Sequence, residues 1–105
     1  MKFSAPFTAL VVACVVGTVT CQITVQFSTT EGCNSFSDTF HGACNECFDP
    51  PGDFGSVLFS GIGSNQEVQI HNEDGCTTAS LVGQGFGNAC WDQGHTAIRS
   101  AFVAC

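Results

Sequence analysis

Three histidines, His41, His71 and His95, share this chain with Glu67, Glu73 and a late arginine, Arg99. Histidine changes charge near neutral pH, so a histidine beside a carboxylate and a guanidinium is the residue set of an acid–base enzyme. Nothing in their spacing forces these residues together, and each histidine sits beside turn residues where exposure to solvent is the simpler expectation. The reading is therefore of a protein without a catalytic set.

The second candidate is His41-Gly-Ala-Cys44-Asn-Glu-Cys47, two thiols three residues apart. A redox pair of this spacing opens a helix, but Phe48-Asp49-Pro50-Pro51 follows, and two prolines stop any long helix from starting there. A zinc site using His41 with both thiolates needs a second close-spaced pair, whereas Cys76 and Cys90 stand apart. Disulfides remain. The ring closed by a Cys44–Cys47 bond would strain bridge geometry, so both reach distant partners and the segment becomes a covalent hub. Which of Cys33, Cys76, Cys90 and Cys105 each one meets stays open.

The leader supports oxidation. Met1-Lys2 precedes an uncharged apolar run from Phe7 to Gly17, and small residues follow in Thr18-Val-Thr-Cys21. This is the plan of a secretory signal peptide, too short to span a bilayer. The chain has eight cysteines, of which Cys14 lies in the apolar run. Cleavage after Cys21 leaves an even set, Cys33, Cys44, Cys47, Cys76, Cys90 and Cys105, and predicts one domain over residues 22–105. A secreted domain of that size relies on such bridges because its core is small.

After cleavage Arg99 is the only formal cation, against nine acids. One arginine cannot neutralise a run of phosphates, so nucleic acid and anionic membrane surfaces are excluded as partners. The acids lack the Asp-x-Asn/Asp-x-Asn/Asp-Gly run of a calcium loop, and Glu73-Asp74, Asp49 and Asp53 read as solvating turn residues. No cofactor or metal is expected. Trp91 is a candidate stacking platform for carbohydrate, weighed against a core anchor beside Cys90. What remains as partner is a host protein or a neutral cell-wall glycan, met by a monomer.

The elements that must position these residues are short. Ile23-Thr-Val-Gln-Phe27 alternates apolar and polar residues, as does Glu67-Val-Gln-Ile-His71, and both predict half-buried strands. Strands are also predicted over 54–59, 79–82 and 97–103. Residues 35–41 fit a helical turn or a loop equally. Asn72-Glu-Asp-Gly75 predicts a tight hairpin turn, Gly83-Gln-Gly-Phe-Gly87 a loop, and Trp91-Asp-Gln-Gly94 a turn. No internal repeat is evident. Short strands separated by glycine turns argue an all-β, disulfide-stapled antiparallel sandwich or Greek-key domain.

In its leader, six cysteines, acidity and small size, the chain resembles the fungal small secreted cysteine-rich proteins, many of which are effectors or elicitors acting on a host plant. That resemblance implies a virulence role in the apoplast, touching plant immunity, without enzymatic activity. Phe54-Gly-Ser-Val-Leu-Phe59-Ser-Gly61 resembles the aromatic-x4-aromatic-x-Gly corner of βγ-crystallin domains, and Ile98-Arg-Ser-Ala-Phe-Val103 is similar to their closing strand. This second resemblance implies a Greek-key fold, shared with several microbial killer toxins and antimicrobial proteins. The acidic-pair-plus-serine calcium signature of that family is missing here. The His, Glu and Arg set is that of small acidic secreted ribonucleases, but those are tyrosine-rich, and this chain has no tyrosine.

Overall fold

The computed structural model describes residues 23–105. The leader and its cleavage site lie outside the described residues. Eight strands follow in order: β1 (Ile23–Ser28), β2 (Phe36–Gly42), β3 (Cys47–Phe48), β4 (Ser56–Ser60), β5 (Glu67–His71), β6 (Leu81–Phe86), β7 (Ala89–Asp92) and β8 (Ser100–Ala104). They form two four-stranded antiparallel sheets, ordered β2-β1-β4-β7 and β3-β8-β5-β6. The chain is thus an all-β, disulfide-stapled sandwich.

Alternation explains the central strands. Ile23, Val25 and Phe27 point inward from β1, Val57 and Phe59 from β4, Val68 and Ile70 from β5, and Ala101 and Val103 from β8. The apolar area they remove from water is the main favourable term in folding. Expectation and structure part at the edges. Residues 35–41, undecided in sequence, form β2, where Phe40 packs edge-on against Phe27 at a centroid distance of 5.9 Å. The strand expected over 79–82 begins as a 3-10 turn, Thr78–Ser80, and becomes β6 only at Leu81. Of the glycine segment expected as a loop, residues 83–86 lie within β6 and Gly87 follows it; of the turn expected over 91–94, Trp91 and Asp92 lie within β7 and residues 93–94 follow it. Gly75 does take a positive φ of 83°, but the connection it serves runs from His71 to Leu81 and is no tight hairpin.

A repeat, unseen in the sequence, organises the described residues. Strands β1–β4 and β5–β8 follow the same path: a hairpin, a crossing to the other sheet, and a return beside the first strand. Each is a Greek key. Each lends its third strand to the edge of the other half's sheet, so β3 completes the second sheet and β7 the first. The registers match: Val25 faces Phe59 as Val68 faces Val103, and both hairpins carry a bulge, at Phe27/Ser28 and at Ile70/His71.

The polar devices match too. Ser56 Oγ donates to Thr30 O (2.5 Å) and accepts from Cys33 N (2.9 Å). Its counterpart Ser100 donates to Glu73 O (2.6 Å) and accepts from Cys76 N (3.1 Å). Cys33 and Cys76 both have positive φ, 56° and 52°, each after a positive-φ glycine. Asp92 of β7 accepts from Gly32 N (2.7 Å), and Asp49, just past β3, accepts from Gly75 N (2.9 Å). Asn88 Oδ1 accepts from Ile62 N (2.8 Å) as Asn45 Oδ1 accepts from Cys105 N (3.2 Å).

Candidate functional site

The six described cysteines pair as Cys33–Cys90, Cys44–Cys105 and Cys47–Cys76. Cys44 and Cys47 do reach separate, distant partners. Two of the bridges are equivalents under the repeat. Each ties the turn of one half to the strand lent by the other, and Cys44–Cys105 is the third, without a counterpart. The repeat therefore accounts for Cys33, Cys47, Cys76 and Cys90, and for the buried serines Ser56 and Ser100. A site for recognition is better sought where the halves differ.

Trp91 belongs to the packing. Its ring lies over Gly83 and Gly85 of β6, so closely that a Cβ on Gly85 would stand 2.6 Å from ring carbon Cζ2. It seals the gap between the edge strands β6 and β7, as Phe48 does at the opposite edge beside Phe40. These contacts are those of a partly buried core anchor. Its indole Nε1 is buried without a hydrogen-bond partner among the described residues.

The histidines separate. His41 lies exposed on β2 with its Nδ1 3.1 Å from Thr24 Oγ1, and His95 lies exposed in the loop after β7. His71 corrects the expectation of an exposed residue, being only 2% exposed. Its Nε2 faces Gln69 Oε1 at 3.3 Å, while Gln69 Nε2 donates to Glu67 (3.1 Å). On the other side Nδ1 meets the Ser80 hydroxyl at 3.1 Å, and that hydroxyl is also held by Thr77 O (2.9 Å). Burial lowers the His71 pKa below its ordinary value. Ser80 is buried as well, so this chain of groups ends inside the fold and fastens the loop after β5. Of the other acid–base candidates, Arg99 donates its backbone N–H to His71 O (2.8 Å), while its guanidinium pairs with Asp53 (3.3 Å) and Asp74 (3.1 Å).

An open cavity of about 190 Å³ lies beside His71, lined by Gln69, His71, Cys76, Thr78, Leu81 and Phe102. It occupies the outward face of the second sheet. Directly paired residues share a face, so Cys47, Phe102, Gln69 and Gln84 form one row across four strands. The next row holds Ala104, Glu67 and Phe86. Phe86 is 66% exposed and Val82 on the same strand 46%.

The two halves differ here. At the position of His71 the first half has Ser28, whose hydroxyl accepts from Ser35 N (3.0 Å) and donates to Thr30 O (2.8 Å), drawing its shorter loop tight. In the second half the larger imidazole stands at this position, the loop is longer and carries the 3-10 turn Thr78–Ser80, and His71 and Thr78 line the cavity. The sequence signal for this was the His71 and Ser28 contrast, visible only once the halves are aligned.

Among the described residues no group of three histidine, cysteine or carboxylate side chains is placed to hold a metal ion, and no helix is long and apolar enough to cross a membrane. Compared with known proteins, the chain matches no family model, no curated protein and no solved structure.

Proposed function

We propose that this is a secreted, non-enzymatic protein that acts by surface recognition in an extracellular space, as an effector or elicitor of fungal type acting on a plant host. The observation that carries the reading is the outward face of the second sheet. It sets the exposed Phe86 and Val82 beside an open cavity, at the place where the halves of an otherwise regular repeat diverge. Exposed apolar groups rimmed by polar ones are the usual mark of an interaction surface. Three long-range disulfides support an extracellular setting, where such bonds form and persist. The protein works as a monomer.

The test is to produce the full chain in a secreting host, recover the oxidised protein from the medium, and infiltrate it into plant tissue. Necrosis or a defence response is expected, and it should vanish after reduction and alkylation. His41→Ala and His95→Ala should each retain it. Loss through one of these histidines with folding intact would turn the reading to an enzyme. Silence on plant tissue together with killing of microbes would turn it to a toxin.

A further inference from the structure

Resting on that recognition reading, we propose that the outward face of the second sheet binds a neutral glycan, between the cavity at Gln69 and the exposed ring of Phe86. Sugars present an apolar face of C–H groups and a rim of hydroxyls. A site for them needs flat aromatic surface next to side chains that both donate and accept hydrogen bonds. The four-strand row supplies that alternation, with Phe102, then the amides of Gln69 and Gln84, and Phe86 in the next row. Gln69 Oε1 lies 3.3 Å from His71 Nε2 and its amide gives one N–H to Glu67, which fixes the amide plane and leaves its second N–H to donate. Thr78, an exposed residue, lines the cavity and carries a hydroxyl that can donate and accept.

Charge selects within the class. Arg99, the only arginine or lysine among the described residues, is occupied by Asp53 and Asp74, so acidic sugars find no counter-ion on this face. Size selects as well. The cavity's 190 Å³ falls below the ~300–1,000 Å³ of sites that enclose a whole small molecule. An open site of that volume suits one ring of a polymer whose neighbours run on over Phe86.

The experiment uses the oxidised protein recovered from the medium, labelled with 15N and followed by NMR. Soluble oligomers of β-1,4-glucan, β-1,3-glucan and β-1,4-linked N-acetylglucosamine are titrated, with oligogalacturonate as the anionic comparison. Saturable shifts confined to Gln69, Thr78, Gln84, Phe86 and their neighbours are expected with at least one neutral oligomer and none with oligogalacturonate. Phe86→Ala and Thr78→Ala should each weaken binding about tenfold or more, with the NMR spectrum of the core unchanged. Absence of shifts with every neutral oligomer overturns the proposal. So do equal shifts with oligogalacturonate, unaltered binding by Phe86→Ala, or sedimentation showing that Phe86 is instead covered by a second copy of the chain. The two readings fail separately. If no oligomer binds but Phe86→Ala still loses its effect on tissue, the glycan is wrong and the recognition face stands. If Phe86→Ala keeps that effect, the face itself is wrong.

Discussion

Burial of His71 decides when it takes up a proton. In the unfolded chain the imidazole protonates near pH ~6.5, whereas in the fold desolvation lowers that pKa. The unfolded state thus binds more protons once the pH falls through the histidine range, and stability drops in that direction. It is fully present above the ordinary histidine value and diminishes below it. Melting temperatures at pH 7.5 and pH 5 should show a loss on acidification, and His71→Gln should lose less between the two pH values than the parent. An equal loss in both proteins would place the acid sensitivity elsewhere. At Gly85 the argument is steric. A methyl there meets the Trp91 ring at 2.6 Å, and that ring is wedged between two sheets. Gly85→Ala should destabilise by about 1–3 kcal/mol, as overpacking does, and red-shift the emission of the single tryptophan. Unchanged urea midpoint and fluorescence would show that Trp91 can move aside.

Between elements, the disulfides set a graded prediction. Cys33–Cys90 spans 57 residues and its counterpart Cys47–Cys76 spans 29. Because loop-closure entropy grows with the logarithm of length, removing the longer bridge should cost about 0.6 kcal/mol more than removing the shorter. Paired Cys→Ser variants in chemical denaturation would measure it, and a reversed order would show that native contacts outweigh chain entropy. The same elements show what was legible beforehand. Strands β1 and β5 could be read because one of their faces packs on the core and the other meets solvent, which sets the alternation. β6 and β7 could not, since glycines that make room for Trp91 look like punctuation when the indole is unseen. The repeat was written in Asn45-Glu-Cys-Phe-Asp49 against Asn88-Ala-Cys-Trp-Asp92, and in Glu31-Gly-Cys33 against Asp74-Gly-Cys76. It escaped notice because the strands between keep only their pattern of burial. Of the candidate site, the cysteines were legible from type and compartment. The Phe86 face was not, because it exists only where strands distant in sequence lie side by side.

For the molecule as a whole, neither half can close its own sheet. A fragment of residues 22–64 lacks β7 at the edge of the first sheet, and its β3 has no β8 to pair with. Expressed alone, each half should show no dispersed NMR spectrum, whereas the full chain should unfold in one transition by fluorescence and circular dichroism alike. Independent folding of either half would contradict the exchange. The position of β8 carries a consequence for biosynthesis. It lies between β3 and β5 at the centre of the second sheet, and it is the last of the eight described strands to leave the ribosome. Until residues 100–104 emerge, the strands of the first sheet are already made, but the second sheet is only the two-stranded β5–β6 ribbon with β3 left unpaired. Such a ribbon is by itself at best marginally stable in water. A premature stop codon anywhere before Ser100 would remove the middle of that sheet, so truncated products of this gene should be quality-control substrates and not shortened, working proteins.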